Sequence, residues 1–129
     1  MSQVLWPNIA GQTPIRGMVE MLYDAAAGLG GITNNKLDFH VDSVGVGAAG
    51  SIKEMRHNCA LRVIKNGYTH LLFRITCPVA NPFPAKAGTP EGDSYPEIKS
   101  ETELLDVIKQ ILARPKTAEI LVLLVNTAA

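Results

Sequence analysis

The clearest chemical motif in the sequence is Gly45-Val-Gly47-Ala-Ala-Gly50, which follows an alternating segment and runs directly into Ser51-Ile-Lys-Glu54. Glycines let a backbone approach a phosphate, and the free N–H groups at a helix start attract an anion. Gly45, Gly47, Gly50 and Ser51 are therefore candidate phosphate ligands. The second half of a dinucleotide fingerprint is missing: no acidic residue lies between Glu54 and Glu91 to bind a ribose hydroxyl. A nicotinamide-dehydrogenase site is not expected. The same glycines would also serve a strand-to-helix turn needed only for packing.

A second constellation lies in Tyr68 to Thr76. If this is one strand, Tyr68, His70, Arg74 and Thr76 share a face, and Leu71, Phe73, Ile75 and Cys77 share the other. Ring, imidazole, guanidinium and hydroxyl together suit a nucleotide, by stacking on the base and by charge-assisted bonds to phosphate. An ordinary solvated strand face has the same appearance. If residues 56–78 form a hairpin, Arg56, Asn58 and Arg62 join the first face.

Catalytic and metal chemistry find less support. Asp38, His40 and Asp42 alternate on one strand face and are suitable ligands for a hard cation, but Asp38 and Asp42 could equally pair with Arg56 or Arg62. No Gly-x-Ser-x-Gly elbow occurs. Cys59 and Cys77 fall on apolar faces, which marks them as small buried hydrophobes. No enzyme activity, metal or cofactor is expected.

The elements that must position these residues can be read from capping and periodicity. Thr13-Pro14 starts a helix whose apolar stripe is Ile15, Met18, Val19, Leu22 and Ala26, stopped by Gly28, Gly30 and Gly31. Ser51/Glu54 is a capping box for a helix carrying Ile52, Met55, Cys59, Ala60 and Val63, closed by Asn66-Gly67. Asn66-Gly67 is also a hairpin signal, so residues 51–65 read as helix or, less well, as strand. Ser100/Glu103 is a second capping box, before Leu104, Val107, Ile108, Ile111 and Leu112, with Pro115 at the end. Strands are expected at Leu37–Val44 and Tyr68–Thr76. Ile120–Val125 reads as a buried strand or a short helix, and Val4-Leu5-Trp6 as an edge strand. Residues 79–99, with Pro82, Pro84, Pro90 and Pro96, form a long loop that suits a lid or an assembly contact.

These readings predict a single α/β domain over residues 1–129: alternating helix and strand, with helices packed on a small mixed sheet. The second arrangement is α+β with a central antiparallel hairpin. The 129 residues balance 12 basic against 12 acidic side chains, which argues against a general nucleic-acid or membrane-surface binder. Residues 43–90 nevertheless carry +5, a confined basic middle that suits one anionic ligand. The longest apolar run has six residues, too few for a transmembrane helix, and the start lacks a signal core. A cytoplasmic protein is expected.

Thr13-Pro-Ile-Arg16-Gly-Met-Val-Glu-Met-Leu-Tyr23 and Asn66-Gly-Tyr-Thr-His70-Leu-Leu-Phe73, with the turn at 45–51, resemble the phage anti-Thoeris proteins. That resemblance implies a non-enzymatic, oligomeric sponge that sequesters a cyclic ADP-ribose-type nucleotide in the host cytoplasm. It adds immune evasion as the purpose, with no long nucleic acid as partner. No binding position is carried over from that resemblance; the residues themselves give the ligand-binding set as Gly45, Gly47, Gly50 and Ser51 on phosphate, and Arg56, Arg62 and Arg74 neutralising charge. Tyr68 or His70 would meet the base, and Arg16 would reach in from a neighbouring subunit. The alternative is a small nucleotide-using or hydrolytic enzyme with the same pocket. A further alternative comes from Ile111-Leu-Ala-Arg-Pro-Lys-Thr-Ala-Glu-Ile-Leu-Val-Leu-Leu, which is similar to the helical tail of RNA-phage coat proteins. Those begin with a β-hairpin, whereas a proline-capped helix is expected here.

Overall fold

The computed structural model describes residues 17–48 and 50–128. The expected start at Thr13-Pro14, the edge strand at Val4-Leu5-Trp6, and Arg16 lie outside them. Helix and sheet are mixed as expected, with helices packed on one small sheet. Among the described residues, four helices, α1 (Met18–Ala25), α2 (Leu29–Ile32), α3 (Glu101–Leu112) and α4 (Pro115–Thr127), accompany four strands. The strands are β1 (Leu37–Val46), β2 (Glu54–Val63), β3 (Thr69–Pro78) and β4 (Lys86–Gly88), in sheet order β1-β2-β3-β4. Every pairing is antiparallel, so the sheet is a meander built on the central hairpin of the second arrangement.

The capped helix expected over 51–65 is not formed: β2 occupies 54–63. Alternation decides it. His57, Cys59, Leu61 and Val63 are buried on one face, while Glu54, Arg56, Asn58 and Arg62 lie on the other. Asn66-Gly67 closes the β2–β3 hairpin, with Gly67 at φ 75° and Val63 N–H donating to Tyr68 O at 2.8 Å. A bulge opposite Cys59/Ala60 inserts Leu72 into β3 and changes the facing of everything before it.

Helices cover one face of the sheet. In α3, Leu104, Val107, Ile108 and Ile111 of the expected stripe are buried, whereas its last member, Leu112, is exposed. Ser100 caps α3, with Glu103 N–H donating to Ser100 Oγ at 3.2 Å, while the Glu103 carboxylate accepts from the Ser100 hydroxyl at 3.3 Å. Ile120–Val125 belongs to α4, and Pro115 is the first residue of that helix rather than the end of the previous one. Leu22, Leu37, Phe73, Ile75, Ile98 and Leu104 meet in the core between sheet and helices. Gly30 and Gly31 fall inside the single turn of α2 instead of stopping α1. Tyr23 of α1 stacks edge-on against Phe39 at 5.7 Å and its hydroxyl accepts Val41 N–H at 3.1 Å. That bond covers part of the open β1 edge.

The proline-rich stretch 79–99 is not structureless. It contains β4, and Ala85 and Ile98 exchange two backbone hydrogen bonds of 2.8 Å. Arg114, between α3 and α4, bonds Glu91 at 2.8 Å and Asp93 at 2.7 Å, which ties the loop to the helix layer. Among the described residues, no helix is long and apolar enough to cross a membrane.

Candidate functional site on the bare face of the sheet

The glycine motif is the tip of the β1–β2 hairpin. No helix follows it, so it cannot act as a helix-start phosphate cradle. Ser51 N–H is taken by Ala48 O at 2.9 Å and Lys53 N–H by Val46 O at 3.1 Å. The glycines answer to the turn instead. A Cβ on Gly47 would lie 2.2 Å from Ser51 O, and Gly50 has φ +80°. Gly47→Ala should therefore destabilise the fold by about 1–3 kcal/mol, the usual scale of a forced backbone shift or strained residue. A urea melt would read this, and ligand affinity should be unchanged in the folded fraction.

Antiparallel partners share a sheet face, so the register assigns each side chain. On the face away from the helices, one cross-strand row runs Val44, Arg56, Thr76, Lys86 and the next runs Asp42, Asn58, Arg74, Gly88. Arg56, Arg74 and Lys86 thus converge from three strands. None of them makes an ion pair among the described residues. Arg74 is oriented by its Nε–H bond to Asn58 Oδ1 at 2.8 Å, which leaves its terminal nitrogens free. Arg56 Nε is buried and has no hydrogen-bond partner, an arrangement that an incoming acceptor would relieve. Beside these rows lies a pocket of about 230 Å³ lined by Leu71, Arg74, Thr76, Lys86, Gly88 and Thr89.

The other expected residues divide. Arg62 is on this face but is occupied by Asp38, through bonds of 2.9 and 2.6 Å. Of the ion pairs weighed for the strand acids, this is the one that forms. Asp38, His40 and Asp42 do share a face of β1. Among the described residues, no group of three metal-ligating side chains is assembled. Tyr68 and His70 leave the expected set: the bulge pairs His70 with Leu61, on the helix side, and Tyr68 stands just before β3 beside Val63. Lys86, a central member of the cationic group, was missed by sequence reasoning. It sits in the proline-rich segment read as loop, where its share in the basic middle of residues 43–90 and the short alternation Ala85-Lys86-Ala87 were the signals.

On the helix side, His57 is buried between two partners. Its Nδ1 lies 2.7 Å from Ser43 Oγ and its Nε2 lies 3.5 Å from Cys77 Sγ. The helix reading of 51–65 hid this trio by pointing His57 away. Burial lowers the His57 pKa and raises those of Cys59 and Cys77, so all three are held neutral. Neutral, buried thiols are poor nucleophiles. The lowered His57 pKa has a definite sign. Above about pH 6.5 neither folded nor unfolded chain protonates this histidine, and its stabilising bonds are intact. Below that pH the unfolded chain takes up a proton that the fold refuses, so stability falls by up to about 1.4 kcal/mol per pH unit down to the folded pKa. Thermal melts between pH 7.5 and 5 should display this loss, and His57→Gln should remove most of it.

Comparison of this chain with family models, with curated proteins and with solved structures finds no match to any of them.

Proposed function

We propose that this protein is a non-enzymatic binder of phosphorylated nucleotide chains, which it holds on the bare face of its sheet without a covalent step. The observation that carries the reading is the convergence of Arg56, Arg74 and Lys86 from adjacent strands with, among the described residues, no carboxylate paired to any of them. Cations left without counterions on a flat face are the ordinary footprint for a phosphodiester backbone. Neighbouring strands are ~4.8 Å apart, so the three charges span about 10 Å and meet more than one phosphate. The neutral net charge hides this segregation, because the balancing acids lie largely outside β2–β4.

Single-stranded RNA is the preferred ligand. An antiparallel sheet followed by two C-terminal helices, one face sheathed and the other basic, also suits the coat-type reading of residues 111–124. The pocket beside Arg74 and Lys86 supports a second reading, in which one small signalling nucleotide is sequestered intact.

One experiment separates these outcomes. The protein is purified under native conditions and its 260/280 nm absorbance ratio is recorded. It is then cleared of nucleic acid and offered a 20-nucleotide RNA or a panel of NAD, cyclic ADP-ribose isomers and cyclic dinucleotides. After washing and heat denaturation, released molecules are identified by mass spectrometry. Co-purifying RNA and retention of the oligonucleotide are the expected result. Recovery of an intact small nucleotide alone would favour the sponge, and a converted product or no ligand at all would overturn the proposal.

A further inference from the structure

The pocket beside Arg74 and Lys86 has one wall that lies beyond the strands. Thr89 and Pro90 form it, at the start of the turn that joins β4 to the segment running back beside it. Gly88 bridges Ser94 and Ala85 bridges Ile98 across those two segments. The turn closes on itself through Thr89 and Asp93. Gly92 N–H donates to Thr89 O at 3.0 Å, and Thr89 N–H donates to Asp93 O at 3.3 Å. Side chains repeat the link: the Thr89 hydroxyl donates to Asp93 Oδ2 at 3.0 Å and accepts Asp93 N–H at 3.1 Å.

The same carboxylate oxygen is held from the helix layer. Arg114 Nη1 donates to Asp93 Oδ2 at 2.7 Å. The rest of that guanidinium is fixed in place, with Nε on Ile111 O at 3.1 Å and Nη2 on Thr117 Oγ1 at 3.4 Å. Thr117 is 1% exposed and its hydroxyl donates to Ile111 O at 2.6 Å. A chain of bonds thus runs from the buried α3–α4 junction, through Arg114 and Asp93, to the Thr89 wall of the pocket. The Asp93 carboxyl is accordingly held below its usual range, by the Arg114 bond first and by the Thr89 hydroxyl second. Because the Thr89 proton is committed to Asp93, Thr89 offers a ligand a shape rather than a bond.

Electrostatics alone would make Asp93 a hindrance, since a carboxylate near Arg74 and Lys86 repels an anion and its removal should tighten binding. The bonding points the other way. We infer that Asp93 is a positioning residue for anion binding on the bare face: clamped between Arg114 and Thr89, it fixes the pocket wall beside Arg74 and Lys86, so that a carboxylate strengthens the hold on phosphate. The inference rests on the reading of that face as a phosphate binder. A wall already set spares the ligand the cost of ordering the turn as it enters. Glu91 also accepts from Arg114, at 2.8 Å, but among the described residues it has no bond to Thr89 and does not line the pocket.

The test uses the full chain and two substitutions that remove the same charge from the same turn. Asp93→Asn and Glu91→Gln are titrated with a fluorescein-labelled 20-nucleotide single-stranded RNA, read by anisotropy at several salt concentrations. Asp93→Asn should bind about fivefold more weakly than the native chain, the scale of one lost bond, although it is one charge more positive. Glu91→Gln, which leaves Asp93 on Arg114, should bind as tightly as the native chain or slightly more so. The salt slope of Asp93→Asn should stay within about 0.3 of native, because no phosphate contact is lost, whereas Lys86→Ala should lose about 0.7. Thr89→Val, which cuts the link with no change of charge, should weaken binding by a similar factor. In the free protein, amide hydrogen exchange over residues 89–93 should quicken in Asp93→Asn and Thr89→Val while the sheet keeps its native protection. Unchanged or tighter binding by Asp93→Asn, or a turn that still exchanges as slowly as native, would overturn the inference and leave the phosphate reading standing. Equal weakening by Glu91→Gln would place the effect in the charge of the turn instead of the wall, and overturn it as well. A native chain that binds no RNA overturns the phosphate reading itself, and the inference falls with it.

Discussion

Alanine at Arg56, Arg74 and Lys86 together lowers affinity for single-stranded RNA by about 100-fold at low salt. The figure assumes that each cation supplies ~1 kcal/mol, the low end for a charge-assisted bond to phosphate on an exposed face. Salt dependence is the sharper readout. Each single-strand phosphate neutralised contributes about 0.7 to the slope of log affinity against log salt, so the triple variant loses a slope of about 2. Arg62→Ala is the informative control. Its guanidinium already serves Asp38, so affinity should change less than threefold. An equal loss at Arg62 would mean that the ligand spreads towards β1 and displaces Asp38, which fluorescence anisotropy titrations of the two variants would reveal.

The largest expected stability effect is at Phe73. The ring is 1% exposed, lies on the helix side of β3, and has Phe39 as aromatic neighbour at 6.2 Å. Phe73→Ala removes this contact and opens the core beneath the helix layer, at a cost of ~3–5 kcal/mol. Domains of this size have ~5–15 kcal/mol to lose, so the variant should melt about 10–20 °C lower or fail to fold at 37 °C. Phe73→Leu keeps most of the volume and should lose less than half as much. Thermal melts followed at 222 nm would distinguish the two. A small loss in Phe73→Ala would mean that the helix layer settles into the vacated space.

Much of the architecture was legible. The Leu37 and Tyr68 segments alternate, and their strands formed; Ser100 and Glu103 stand at box spacing before a stripe, and α3 formed. Residues 51–65 misled for a specific reason. Met55, Cys59 and Val63 are spaced by four, which is one face of a helix and, because four is even, one face of a strand as well. His57 and Leu61, which fill the same strand face, carry the deciding information. Ser51 and Glu54 have box spacing without a box, because the tight turn through Gly47 and Gly50 claims that segment first. Ile120–Val125 has no period, so sequence alone left it open between strand and helix. Of the candidate ligands, Arg56 and Arg74 were identified and are brought together. Arg62 was identified but is occupied. Tyr68 and His70 were assigned to a face they do not share, because a bulge leaves no mark in composition.

That bulge makes chain length a looser constraint here than residue type. Leu72 is the one residue of β3 without an opposite number on β2. Loss of its codon would restore simple alternation without turning Thr69, His70 or Leu71 over, because each would keep its partner, Arg62, Leu61 and Ala60. A frame-preserving deletion of three nucleotides there would thus leave the outer surface beside Arg74 and Thr76 with the same residues. Lineages of this chain that lack the residue at position 72 should keep their histidine on the helix side.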